Sequence, residues 1–321
     1  MKKLFALLCV LTLLLPIAGC TAEDKTPIRL GALKGATSIG LLKLLEDAEQ
    51  GMTQNPYQFT MAASADELTP KLLMGQMDVL AVPANLASVL YNITDKQVRF
   101  LAVNTLGVLY ILEKGGETVQ SVEDLKGRTV YATGKGSTPE YALSYLLRGH
   151  GLDIKKDVTV EWKSEPTETV AALNASKNGI AMLPQPFVTV AMGQVEGLRV
   201  ALDLTKEWDA LDGGSRLVTA GLIVRADFAE QHPEAVKTFL EEYRASAAYA
   251  NEHVEETAAL AEKYGIVKAA VAKQAIPACN IVCVEGAEMK TALEGYLQAL
   301  YEQNPAAVGG AVPEDDFYYF P

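Results

Sequence analysis

From residue 28 onward, short β-branched or apolar runs alternate with longer stretches in which apolar residues recur every three or four positions. The first run, IRLGAL at 28–33, reads as a strand, and TSIGLLKLLEDAE at 37–49 reads as a helix with one apolar stripe. A strand in YQFTMAA, a helix over 66–75, a strand in MDVLAVP, a helix over 84–92 and the runs VRFLAVNT and LGVLYILEK follow. The pattern then restarts with TVYATG at 129–134, a helix over 138–148, VTVEWKS, a helix over 167–177, GIAMLPQ and a helix over 186–193. After the strand LVTAGLIVR at 217–225 the chain is mainly helical, with a long amphipathic stretch over 226–251 and a last helix over 286–303. The ending GGAVPEDDFYYFP reads as a loop-like tail. This β-α-β-α order predicts an α/β fold whose parallel sheets are covered by helices on both faces.

The restart is a repeat of plan. Residues 28–92 lie over 129–193 at a constant shift of 101, which sets Lys34-Gly35-Ala36-Thr37 on Lys135-Gly136-Ser137-Thr138 and Pro83 on Pro184. Two similar α/β lobes follow, each presenting a strand, the KGxT sequence and a helix start at one edge. Ligands of open α/β sheets bind beyond the carboxyl ends of the strands. A helix start there offers backbone N–H groups and the positive end of the helix dipole, which suits a carboxylate, sulfonate, phosphate or nitrate group. The hydroxyls of Thr37, Ser38, Ser137 and Thr138 either add donors to such a cradle or cap their own helices, and spacing alone leaves both readings open.

Composition narrows the chemistry. A chain of 321 residues with 49% hydrophobic and 21% charged residues is long enough for two packed domains and is neither disordered nor fibrous. Its net charge of -12, with no run of Lys or Arg, excludes nucleic acid as a partner. His150, His232 and His253 stand far apart with no second ligand at metal spacing, so no metal site is expected. ATGKGST lacks the spacing of a nucleotide-binding loop, no GxSxG elbow occurs, and no base stands by for a serine or cysteine nucleophile. These features point to binding without catalysis and call for no cofactor.

The first residues, MKKLFALLCVLTLLLPIAGC, hold two lysines, an apolar run too short to span a bilayer, and Ile17-Ala18-Gly19-Cys20, which resembles a bacterial lipobox. Residues 1–19 read as a signal peptide, Cys20 as the lipidated residue carrying diacylglycerol and palmitate-type acyl chains, and 20–26 as a tether to the membrane. Cys279 and Cys283 remain, either as a disulfide, if the segment bends, or as two buried thiols.

With the lipobox, IRLGAL running into KGATS, MDVLAVPANLA, GRTVYATGKGSTPEYALSYLL, IAMLPQPFVTVA and GLIVRADFAEQHPEAVKTFLEEY in this order, the chain resembles the substrate-binding lipoproteins of ABC importers in the nitrate, taurine, alkanesulfonate and thiamine-precursor group. The resemblance covers nearly the whole mature chain. It implies the type II periplasmic-binding fold, a monomer of two lobes that closes on a small-molecule ligand outside the cytoplasm and meets an ABC permease and ATPase. It further implies lobes of 27–112 plus 218–321 and of 113–217, with crossing segments at Leu106 to Glu113 and Leu217 to Val224. Carried over position by position, the ligand contacts fall on Lys34, Gly35, Thr37 and Ser38, on Ala84 and Asn85, on Asn104, on Gly136, Ser137 and Thr138, and on Gln185. Gln185 stands where relatives often carry an acidic residue before the Pro-Phe pair. Lys34 and Lys135 favour a small anion such as a sulfonate, nitrate or carboxylate, while relatives also take pyrimidine or flavin vitamin precursors. A lipid-anchored sensor of the same ligand, and the pyrimidine- and menaquinone-pathway enzymes that share the fold, are the alternatives in other functional classes.

Overall fold

The computed structural model describes residues 26–211 and 214–320; Cys20 and the segment before it lie outside the described residues. The chain opens with β1 (Ile28–Leu33), α1 (Ala36–Ile39), α2 (Leu42–Glu49), β2 (Tyr57–Ala62), α3 (Thr69–Leu73), β3 (Val79–Pro83), α4 (Ala84–Ile93) and β4 (Val98–Leu106). It continues through β5 (Leu109–Lys114), β6 (Thr129–Thr133), α5 (Thr138–Gly149), β7 (Thr159–Lys163), α6 (Pro166–Ala175), β8 (Ile180–Pro184), α7 (Phe187–Gln194), β9 (Leu198–Asp203) and α8 (Leu204–Ala210). Then come β10 (Val218–Arg225), α9 (Ala226–Gln231), α10 (Pro233–Glu252), α11 (Val254–Lys263), α12 (Ala269–Ala275), β11 (Ile281–Val284) and α13 (Gly286–Gln303).

Two sheets form, in the orders β11-β4-β10-β3-β1-β2 and β7-β6-β8-β5-β9. β1 runs parallel to β2 and β3, and β6 runs parallel to β7 and β8. The repeat read from the sequence is therefore a repeat of topology, with β1, β2 and β3 answered by β6, β7 and β8. The sheets are mixed and not purely parallel as expected, because β10 and β11 run antiparallel in the first and β5 runs antiparallel in the second. β10 enters the first sheet between β3 and β4, and β5 enters the second between β8 and β9. That exchange sets where the chain passes from one sheet to the other. Leu109–Lys114 and Val218–Arg225 are sheet strands, so the lobes divide at Gly107-Val108 and again between β9 and β10. At Gly107 any side chain would collide with α8, since a Cβ would stand 2.1 Å from the Thr205 hydroxyl oxygen. Asn280 clasps this crossing, its carbonyl accepting from the Leu106 N–H at 3.1 Å and its side-chain amide donating to the Gly107 carbonyl.

Three further expectations are corrected by local chemistry. The helix expected over 37–49 is two helices, because the Ser246 hydroxyl enters the backbone ladder between them. It accepts from the Leu44 N–H at 3.0 Å and donates to the Gly40 carbonyl at 2.7 Å, taking both halves of what would be one helical bond. The helix expected over 226–251 breaks at His232, since the Pro233 ring holds its predecessor out of the helical region, at φ -131 and ψ 52. The tail has the irregular backbone of a loop, but it is corrected in its burial: Pro313, Phe317 and Tyr318 are buried. Phe317 is fully buried, with its ring centroid 5.0 Å from that of Tyr91 and 5.7 Å from that of Phe100, and the Tyr319 N–H donates to the Phe100 carbonyl at 2.9 Å.

The lobes share apolar packing on one flank. Tyr145 of α5 stacks on Trp208 of α8 at 4.0 Å between centroids, and Trp208 meets Tyr296 of α13 at 5.6 Å. One continuous hydrophobic cluster runs from the first lobe into the second through these helices. On the other flank α12 of the first lobe packs against α7 of the second. The carboxyl ends of β1, β3 and β4 and those of β6 and β8 lie between the two flanks.

Candidate functional site

Each edge loop takes its shape from glycine. Gly136 sits at φ 76, in the left-handed region, and lets the chain turn from β6 into α5. Ser137, in extended conformation, precedes the helix, and its hydroxyl bonds back to the Gly134 carbonyl at 2.9 Å. On the first lobe Gly35 at φ 137 makes the equivalent turn into the four-residue α1, where the Ser38 hydroxyl donates to the Gly35 carbonyl at 3.1 Å.

The structure gathers the expected residues into three groups. Thr37, Ser38 and Asn104 form the first: Asn104, buried at the end of β4, donates to the Thr37 carbonyl at 2.9 Å and accepts from the Thr105 hydroxyl at 3.1 Å. The Thr37 hydroxyl itself has no hydrogen-bond partner among the described residues. Lys34 is exposed at the rim, held only through its backbone N–H to the Ala62 carbonyl at 2.9 Å.

The second group joins the lobes. Thr138, the fully buried first residue of α5, has its hydroxyl 3.1 Å from the Thr219 carbonyl of β10 and 3.4 Å from Asn85 Oδ1 of α4, two acceptors for its one proton. It accepts in turn from the Tyr296 hydroxyl at 3.3 Å. Burial pushes the Tyr296 phenol well up, so it stays protonated as that donor. Asn85 Nδ2 donates to the Ala307 carbonyl at 3.2 Å and to the Gly136 carbonyl at 3.5 Å. Ala84 is buried beside it and offers no polar side chain. Helix capping and ligand contact were the two readings of Thr138 from sequence; what its hydroxyl does here is bind the other lobe. The Gly136 N–H, an expected anion donor, is engaged by the chain's own Glu140 carboxylate at 2.6 Å.

Gln185 makes the third group by itself. It follows β8, is 7% exposed, and donates its backbone N–H to the Val108 carbonyl at the crossing, at 3.0 Å. Its Oε1 accepts from the Thr189 N–H at 3.4 Å and from the Thr189 hydroxyl at 3.0 Å. The peptide bond to Pro186 is cis.

Sequence reasoning missed Thr219, Tyr296 and Asn280. Thr219 lies in β10 where the pairing with β4 is irregular, and its buried hydroxyl has no partner. A threonine in a strand of apolar residues was its only mark. Tyr296 and Asn280 reach the site from a helix and a strand end far along the chain, for which the pattern carries no signal. Cys279 and Cys283 are free thiols, both pushed up to about 12 by burial, the second also by Glu285. Among the described residues no group of His, Cys, Asp and Glu could hold a metal ion, and no helix is long and apolar enough to cross a membrane.

The fold is shared with solved structures. An ABC transporter protein from Parabacteroides distasonis superposes with a TM-score of 0.76 at 23% identity, covering 92% of this chain and 99% of that one. The periplasmic aliphatic sulphonate binding protein SsuA from Escherichia coli gives 0.74 at 19% identity, covering 92% of each chain. The alkanesulfonate-binding protein SsuA from Xanthomonas axonopodis pv. citri, bound to MOPS, gives 0.69 at 15% identity, covering 90% of this chain and 94% of that one. No curated protein sequence matches the chain. The model of the NMT1-like family matches residues 42–265, well over half the length, and the chain belongs to that family.

Proposed function

We propose that this protein is the extracytoplasmic solute-binding subunit of an ABC importer, tethered by lipid on Cys20, which captures a small polar molecule between its lobes and hands it to the permease and ATPase. The observation that carries this reading is the pairing of two like-built lobes whose edges meet through the bonds of Thr138 to Asn85 and Thr219, each with side-chain groups that have no partner among the described residues: the Thr37 and Thr219 hydroxyls on one side, the Gln185 amide nitrogen on the other. A ligand touching both edges is fully bonded only when the lobes are together, so binding and closure are one event. Arrangements of the same fold that bind sulfonates, in the Escherichia coli and Xanthomonas proteins, support the same kind of role here. The site groups are hydroxyls and amides with no nucleophile-base pair among them, which supports binding without chemistry.

Glu140 favours a second reading of the ligand. An anion placed about 4 Å from its carboxylate is repelled by about 1 kcal/mol in water and about 4 kcal/mol at an effective dielectric of 20. A neutral molecule rich in acceptors, of the pyrimidine or flavin kind, escapes that repulsion, whereas a sulfonate, nitrate or carboxylate group must sit away from Gly136. A thermal-shift screen of residues 26–321 against taurine, MOPS, nitrate, carboxylates, cytosine and riboflavin tests both. A true ligand at 100 times its dissociation constant stabilises the folded state by about 2.7 kcal/mol, a clear rise in melting temperature. Flat melting curves across the panel would contradict the solute-binding reading.

A further inference from the structure

We infer that Gln185 fixes the hydrogen-bond polarity of the ligand: it presents N–H donors only, so the ligand atom that meets it is an acceptor. This deepens the solute-binding reading and rests on it. A primary amide has a carbonyl side and an NH2 side of nearly the same shape, and packing alone could turn either toward the cleft. Thr189, one turn along α7, removes that freedom. Its backbone N–H can only donate, and it points at one end of the Gln185 amide at 3.4 Å while its hydroxyl reaches the same end at 3.0 Å. That end is therefore the carbonyl oxygen, and Nε2 faces the other way.

Nε2 has no hydrogen-bond partner among the described residues, although the residue is 7% exposed. Nε2 keeps some accessible surface while the rest of the residue is buried, so a ligand atom at the meeting of the two lobes can reach it and find the amide already held in place. The other second-lobe donors expected to hold ligand are already engaged, the Gly136 N–H by Glu140 and the Thr138 hydroxyl by the first lobe. Beside the exposed Lys135, Gln185 is thus a group through which the second lobe can still reach out. A carbonyl or sulfonyl oxygen, a nitrate oxygen or an unprotonated ring nitrogen satisfies it. A ligand ammonium or N–H at the same point would set donor against donor and be rejected.

Gln185→Glu and Gln185→Met separate this role from a structural one. Calorimetric titration uses whichever of taurine, MOPS, nitrate, cytosine or riboflavin most stabilises the wild-type protein, and melting curves are recorded without ligand. Methionine keeps the volume and removes the donors, so binding should weaken about 10-fold, which corresponds to about 1.4 kcal/mol; it also removes the acceptor of the two Thr189 bonds, so its unliganded melting temperature should fall, and the glutamate variant, which keeps that acceptor, is the control for stability. Glutamate keeps the Thr189 bonds but turns an acceptor toward the ligand acceptor, so it should weaken binding more than methionine does. Equal affinity in wild type and both variants overturns the inference, as does a glutamate variant that binds as tightly as the wild type or more tightly. Weaker binding by the glutamate variant that only follows a lowered melting temperature also overturns it, since that is the mark of a structural residue. If neither these probes nor the carboxylates of the same screen stabilise the wild type, the solute-binding reading falls and the inference falls with it.

Discussion

Phe317→Ala is expected to destabilise the folded chain by about 3–5 kcal/mol, the range for removing a fully buried aromatic ring. Phe317 has no exposed surface and lies against Tyr91 and Phe100, so truncation leaves a void between α4, β4 and the end of the chain. The neighbours cannot easily collapse into it. Tyr91 is held by its hydroxyl on the Asp316 carboxylate, and the segment is pinned on either side by Lys96 with Glu314 at 2.8 Å and by Lys290 with Asp315 at 2.6 Å. Those exposed ion pairs add little by themselves, about 0–1 kcal/mol each. Urea denaturation of residues 26–321 reads the difference. A change below about 0.5 kcal/mol would mean that the tail is a surface appendage after all.

The second large effect is expected at Glu113, at the start of the second lobe. Its carboxylate is 2% exposed and accepts from the Thr118 N–H at 3.0 Å, the Thr118 hydroxyl at 2.6 Å, the Val119 N–H at 3.2 Å and Arg199 Nη2 at 2.5 Å. Burial alone would raise its pKa; the bonds from Thr118, Val119 and Arg199 outweigh burial and hold it at about 2. Glu113→Leu removes this acceptor, leaves the Arg199 charge with only the Gly116 and Val119 carbonyls and leaves two backbone donors unmatched, which should cost about 3–5 kcal/mol at neutral pH. The pH dependence has a definite sign. A carboxyl whose folded value is lowered contributes fully above its ordinary value near 4.5 and loses that contribution as pH falls toward about 2. The gap in urea midpoint between wild type and variant should therefore be widest at pH 7 and narrow steadily below pH 4.5. A gap that stays constant from pH 7 to pH 3 would refute the assignment.

The strands and helices that build each lobe were legible because their periods are local. IRLGAL, MDVLAVP and GIAMLPQ are apolar runs bounded by turns, and each is a strand buried on both faces. The repeat at a shift of 101 foretold the matching strand orders for the same reason. What sequence could not show is where distant residues intervene. Nothing near Gly40 announces that Ser246 will enter its helix, and nothing in DFYYF beyond its aromatic content says that Phe317 closes a core. β9 and α8 escaped because LRVALD is only half-buried and its polar positions blur the strand signal. At the site, the KGxT loops and the strand-end residues were readable as candidates. The identity of each hydroxyl's partner was not, because Thr138 finds Thr219, Asn85 and Tyr296 only once both lobes are in place.

The most direct test of capture between the lobes is amide hydrogen exchange of residues 26–321 with and without the ligand found by thermal shift. Exchange should slow on both edges at once, in 34–38 on the first lobe and in 185–190 on the second, because the ligand holds them together. Protection confined to one lobe would contradict it, as would protection only around the separate concavity lined by Arg99 and Arg225 at the far end of the first sheet.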